Sequence, residues 1–392
     1  MTVNNRFFIA RTSRALRKAL ATKVVVDLAM RATLARIPFT RRRLHLYTRK
    51  VSPEAVPHLR VDPGEPVVQQ IPIDPGMEAH LRRYTQGLSG CLDQPGLLRL
   101  TAEVRGYELT DCDILPWLGV ILHRPTDQVI DGGIDAQPRL VSKVREVPGL
   151  VLSVTGSPRG HNQYYHFFEG LTVVMRALAW LGNSEPITLL TRRNLSSFQR
   201  VTLEALARRR PNLTLLEVDN EEIVRPERLV LAVRQPCPMI CWFALIDEWR
   251  EIGAMIRETY GPAEGPFNRK LHLTRRRQKL RRLINEAELE PVFVRHGFDS
   301  IAPETLPHPG QVHLLMQASE IVAVEGAAVT NIIFADKPLK LYLMCPWETL
   351  NPFWEGLTTQ LGHDFAYVES GKAEWYDAFK VEPAELDAAL SG

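Results

Sequence analysis

From Tyr164 onward the chain alternates segments of helical length with short β-prone apolar runs, and that alternation constrains the fold more than any other feature. Tyr164 to Leu181 reads as a helix, Ile187 to Leu190 as a strand, Ser196 to Arg209 as a helix and Leu213 to Val218 as a strand. A helix from Met239 to Tyr260 follows and is closed by Gly261-Pro262. A second series begins after it. Strands are expected at Lys270 to Thr274, Phe298 to Ile301, Ile321 to Val324 and Leu339 to Leu343. Helices are expected from a capping box at Asn285 and Glu288 to Gly297, from Gly310 to Gln317, and from Gly326-Ala327-Ala328 onward. Such a pattern describes parallel sheets flanked by helices, an α/β class.

Ahead of this region, Leu97 to Val154 holds short β-prone runs such as Gly119 to Leu122 and Gly149 to Leu152, while the Pro-rich residues 51–80 read as a linker. The Gly/Pro-rich stretch Gly261 to Asn268 is the expected boundary between two units, 51–260 and 261–392. With 45% hydrophobic and 24% charged residues, the chain is neither disordered nor fibrous.

Charge is unevenly placed. Thirteen of the 48 bases but one of the 45 acids, Asp27, fall in residues 1–50, which leaves the remainder nine charges negative. Leu16, Leu20, Val24 and Leu28 form an apolar stripe beside Arg14, Arg17, Lys18 and Arg31, and Arg41-Arg42-Arg43 follows. Residues 1–50 are therefore expected to be a basic amphipathic helical extension. It would suit an anionic membrane surface, or equally the acidic body of its own chain. No aromatic or glycine pattern accompanies the bases, so no nucleic-acid partner is expected.

No apolar run is long enough to span a membrane: Leu229 to Ile246 is broken by Arg234 and two prolines. Lys23, Asp27 and Arg31 break the only early apolar stretch, so no secretory signal is expected. The five cysteines (Cys91, Cys112, Cys237, Cys241 and Cys345) are scattered, and the CxxxC spacing of Cys237 and Cys241 has no second ligand pair nearby. These features point to a reducing, cytoplasmic setting without a zinc site.

Chemistry concentrates where two segments leave strand ends, Thr274-Arg275-Arg276-Arg277 and Glu325 to Asn331. Arginine forks match phosphate oxygens, and a helix start with small residues offers free N–H groups to an anion, so together they describe a site for a phosphorylated ligand. The plain alternative is a solvated basic loop beside a tightly packed helix start. His166 and Glu169, three residues apart, share one helix face, where a packed histidine among aromatic neighbours is the competing account. His161 lies off that face, so the pair is not expected to bind a metal. Asp111-Cys112-Asp113 has the DxD form of metal-dependent sugar transferases, but aspartates are frequent enough here to produce that tripeptide by chance.

Four pieces in order, Leu273 to Arg276, Arg281 to Glu286, Gly297-Phe298 and Glu325 to Asn331, resemble the C-terminal signature of glycosyltransferase family 61. Gln311 and Ala318 fall in register with it, and Asn162 to Glu169 resembles the family's upstream helix start. The likeness runs from about residue 150 to 345. It departs at Glu325, Ala328 and Val329, where the family pattern has His, Gly and Leu.

The resemblance implies a GT-B-like arrangement of two Rossmann-like domains facing across a cleft. The nucleotide-sugar would sit on 261–392 and a surface or capsular polysaccharide, or related glycan acceptor, on 51–260. It also implies inverting transfer without a metal or other cofactor. Arg275, with Arg276 or Arg281, would neutralise the diphosphate. Asn285 and Thr330 would orient the donor, and Glu286 would hold a sugar hydroxyl or brace an arginine. Gly326, Ala327 and Asn331 would complete the donor loop around Glu325, and His166 or Glu169 would be the base. A cytoplasmic protein, peripheral at the inner face of the membrane, is the implied setting. Glu325, adding negative charge beside a diphosphate, motivates a second reading as a non-catalytic glycan- or nucleotide-binding scaffold at the membrane surface. A phosphate-handling α/β enzyme outside glycan chemistry is a third.

Overall fold

A computed structural model describes residues 52–62, 66–73, 91–115, 120–131, 143–153, 164–219, 222–234, 243–346, 352–371 and 378–392. Single positions within these ranges are excepted, and a few positions between 74 and 82 and position 373 are also described. The basic helix expected in residues 1–50 lies outside the described residues, as do Asn162, Gln163, Cys237 and Cys241.

The first series comprises β1 (His58–Asp62), β2 (Val67–Pro72), β3 (Leu97–Ala102), β4 (Val104–Leu109), β5 (Cys112–Leu115), β6 (Val120–His123), β7 (Gln128–Asp131) and β8 (Lys143–Ser153). It continues with α1 (Tyr164–Leu181), β9 (Ile187–Arg192), α2 (Ser197–Arg209), β10 (Leu213–Val218), β11 (Glu222–Arg234) and α3 (Ile246–Tyr260). Nine of these strands form one sheet. Along its main path the order is β10-β9-β8-β11-β5-β6-β7, and β4 joins β11 to β1. The β10-β9-β8-β11 portion is parallel; the β5-β6-β7 side and the β1-β4-β11 branch are antiparallel.

The second series is β12 (Arg269–Leu273), α4 (Glu286–Arg295), β13 (Phe298–Ile301), α5 (His308–Met316), β14 (Ala318–Val324), β15 (Lys340–Met344), α6 (Phe353–Gln360), β16 (Asp364–Val368) and α7 (Pro383–Ser391). Its five strands are all parallel, in the order β13-β12-β14-β15-β16. That is a doubly wound sheet whose strand order reverses direction between β12 and β14.

Side-chain alternation along the second sheet covers both of its faces. Leu271, Leu273, Ile321, Ala323, Leu341 and Leu343 point into one core, and Val322, Val324, Tyr342 and Met344 into another beneath α4 and α7. The first core is continuous with that of the nine-stranded sheet, running through Leu150, Phe168, Trp249 and Phe334. Helix α3 carries much of this continuity, packing on α1, α2, α5 and the 3-10 helix Ala327–Phe334. At Gly253 the backbones approach so closely that a Cβ would stand 2.0 Å from the Ile333 carbonyl oxygen.

Several expectations need correction. Residues 51–80 contain β1 and β2 rather than serving only as a linker, because these segments pair antiparallel with β4 and β3. Helix α3 starts at Ile246, not Met239, after a short turn at Phe243-Ala244. Asn285 precedes α4, but its side chain makes no cap hydrogen bond; it turns instead to the C-terminal segment. Strand β11 had no sequence reading. Gly261, at φ +77°, closes α3 by donating its N–H to the Arg257 carbonyl at 2.9 Å. Among the described residues no helix is long and apolar enough to cross a membrane.

Candidate active site

Register builds the site. Leu273 of β12 pairs with Ala323 of β14, and Val324 with Met344 of β15, so Thr274-Arg275 and Glu325-Gly326 emerge side by side beyond the carboxyl ends of their strands. This is the switch point of the second sheet, where open α/β sheets form a crevice. A cleft of about 640 Å³ lies there. Its wall on the second sheet includes Arg275, Arg281, Glu304, Gln311, Glu325 and Gly326, and the first turn of α1 contributes Tyr164, Tyr165 and His166.

Arg275 lies directly on Gly326, where a Cβ would come within 1.8 Å of its Nη1. The φ of Gly326 is extended, so the glycine is required for space and not for backbone conformation. The room expected at this glycine for a ligand is thus taken by the arginine itself. Arg275 Nη2 donates to the Leu280 carbonyl at 3.3 Å, while Nε is buried without a partner. Burial, and secondly the neighbouring Arg281, lower its pKa, with Glu325 and Glu304 acting in the opposite direction.

Arg281 is one of two described non-glycine residues with positive φ, at +54°, and its Nη1 sits 3.3 Å from Glu325 Oε1. The Glu325 carboxylate is mostly buried, its side chain 11% exposed. Ala327 and Ala328 continue the lining as the first residues of the 3-10 helix.

His166 and Glu169 meet: Nδ1 lies 2.9 Å from Glu169 Oε2, with the histidine partly open to the cleft and the glutamate buried. A proton on Nδ1 donated to that carboxylate leaves Nε2 free to accept one. Behind them, His308 at the start of α5 lies between the Tyr164 hydroxyl at 2.8 Å and the Tyr260 hydroxyl at 2.7 Å. Burial pushes its pKa down to about 4.

The remaining expected donor residues lie outside the cleft lining, each with a physical reason. Arg276 turns away to Glu286 (3.2 Å) and Glu290 (2.8 Å). Glu286 is buried beside His272, which stacks on Phe293, so of its two expected roles the geometry has it bracing an arginine rather than meeting a sugar. Asn285 is a pin: Nδ2 donates to the Val381 carbonyl at 2.8 Å and Oδ1 accepts the Val381 N–H at 3.2 Å. Thr330 and Asn331 are fully buried, and Asn331 Nδ2 donates to Gln311 Oε1 at 3.1 Å, acting on the cleft only through that glutamine.

Asp113 of the DxD tripeptide takes two bonds from Arg225 (2.9 and 3.1 Å), and Asp111 takes one from Arg124 at 2.9 Å, both away from the cleft. Among the described residues no group of three or more His, Cys, Asp or Glu side chains is placed to hold a metal ion.

Sequence reasoning missed Glu304, Gln278, Phe353 and Trp354 as lining residues. Glu304 belongs to a short 3-10 turn, and the aromatic pair opens α6, a region without a recognisable pattern of its own. The Tyr164-Tyr165 doublet enters the sequence reading as aromatic company of His166 and as part of the Asn162 to Glu169 segment, with no lining role assigned to it; its place as the first two residues of α1 puts it at the cleft edge.

A family model described as glycosyltransferase 61 matches residues 112–342, more than half of the chain. A comparison with curated proteins finds no match. The matched span includes every residue of the cleft except Phe353 and Trp354. The chain is a glycosyltransferase and belongs to glycosyltransferase family 61.

Proposed function

We propose that the protein is an inverting, metal-independent transferase with a GT-B-like division near residue 260. It would move a sugar from a nucleotide-sugar to a surface polysaccharide or related glycan. The single observation carrying this reading is the arginine-lined switch-point cleft that His166, held by the buried Glu169, enters from the first turn of α1. A direct displacement needs a base on the acceptor side and positive charge on the leaving side. His166 Nε2 takes the acceptor hydroxyl proton as that oxygen attacks the anomeric carbon. Glu169 holds the ring and stabilises the imidazolium, and the bond to the diphosphate breaks. Arg275 and Arg281 offset the charge left on the diphosphate. The protein would work in the cytoplasm, with residues 1–50 meeting the inner face of an anionic membrane.

The test is nucleoside diphosphate release from a panel of nucleotide-sugars, with and without a chelator. Release that survives the chelator and drops about 10²–10⁴-fold in His166→Ala is expected. Turnover in His166→Ala equal to that of the unmodified protein removes the base assignment. Turnover abolished by the chelator removes the metal-independent reading.

A further inference from the structure

The charges around the cleft cancel. Among its described lining residues, Arg275 and Arg281 face Glu304 and Glu325, and no other lining side chain is formally charged at neutral pH. An anion site evolved only for tight grip gains nothing from a largely buried carboxylate at its centre. Yet Glu325 is 3.3 Å from Arg281, adjoins the Gly326 on which Arg275 lies, and acts electrostatically on both arginines. Arg281 adopts a left-handed backbone, uncommon for a residue with a side chain, in the position that makes this pair.

Resting on the donor-site reading above, we propose that Glu325, assisted by Glu304 at the rim, is a built-in counter-charge that loosens the site for the departing nucleoside diphosphate. Breaking the sugar–oxygen bond leaves an added negative charge on the terminal phosphate, so a fixed carboxylate nearby repels the product more than the intact donor. When the product leaves, Glu325 again supplies the counterion of Arg281, and the arginine is not left unpaired in a part-buried site. Glu325 therefore separates product from donor by charge, a specificity role in the release half of the cycle.

The experiment is calorimetric titration of the full chain with inorganic pyrophosphate, inorganic phosphate and uridine diphosphate. Glu325→Gln keeps an oxygen for Arg281 to donate to and removes only the charge. It is expected to bind pyrophosphate and uridine diphosphate on the order of tenfold more tightly than the unmodified protein, with a smaller gain for phosphate. Glu304 is exposed and accepts a hydrogen bond from Gln278 Nε2 at 3.4 Å, which the amide oxygen of Glu304→Gln can still accept, so that variant keeps the fold and is expected to show a smaller change of the same sign. Diphosphate binding in the unmodified protein with equal or weaker binding in both variants overturns the counter-charge role. An equal gain for phosphate and pyrophosphate also overturns it, since a packing effect would not follow ligand charge. Absence of diphosphate binding in all three proteins overturns the donor-site reading itself.

Discussion

At the scale of single residues, the account depends on one contact, the Arg275 guanidinium lying where Gly326 has no Cβ. Gly326→Ala is expected to push that guanidinium aside. Because the clash is with the end of a flexible side chain, the melting temperature should change little while the KM for a nucleotide-sugar rises several-fold. An unchanged KM would show that the arginine is not needed in its present seat. Asn285 makes the opposite case. Asn285→Ala leaves the buried Val381 N–H and carbonyl without partners, a loss of about 2–3 kcal/mol in stability by denaturant unfolding. Nucleotide-sugar binding should persist in the folded fraction.

The arginine fork and the small-residue turn were legible in the sequence because strand ends in α/β sheets are where such groups gather. Which arginine faces the cleft was not legible. Arg275 and Arg276 are adjacent in sequence, and only the buried Glu286 and exposed Glu290, contributed by α4, draw the second one away.

Among elements, the long helices and the strands of the second sheet follow from apolar periodicity. Tyr164–Leu181 and Leu213–Val218 match the sequence reading to the residue. Strand β11 was hidden because its length and Pro226 disguise a central strand. That proline sits where the β8–β11 register shifts, so no ladder bond is lost there. The joint between helices is set by features without periodicity. Gly253→Ala would drive a methyl group into the Ile333 backbone and is expected to cost about 2–3 kcal/mol of stability, read as a lower denaturation midpoint.

The α1–α3–α5 junction at His308 carries a pH dependence. Its folded pKa, about 4, lies below the ordinary histidine value of 6.5, so the unfolded chain binds the proton more readily. Its contribution to stability is complete above about pH 6.5 and is lost as pH falls towards 4, by about 3 kcal/mol for a shift of this size. His308→Gln keeps a donor and an acceptor between Tyr164 and Tyr260. The fall in melting temperature between pH 7 and pH 4.5 should be smaller in that variant than in the unmodified protein. An equal fall would assign the acid sensitivity elsewhere.

For the whole molecule, the mixed nine-stranded sheet and the parallel five-stranded sheet share a continuous apolar core through Phe168, Trp249 and Phe334, although the sequence reads as two successive series. Sequence alternation reports local elements and a Gly/Pro boundary. It carries no signal for side chains from distant segments that meet across the cleft, which is why Glu304 and Trp354 were found only in three dimensions. The shared core predicts one cooperative transition for residues 52–392 in calorimetry; two resolved transitions would show that the units unfold independently.

The central claim, that Arg275 on Gly326 holds the diphosphate of a sugar donor, is tested most directly by titrating a panel of nucleoside diphosphates into the protein and its Arg275→Ala variant. Loss of a charge-assisted contact predicts that the affinity of whichever nucleotide binds falls by roughly ten- to a hundredfold in the variant. Equal affinity in the two proteins would contradict the claim.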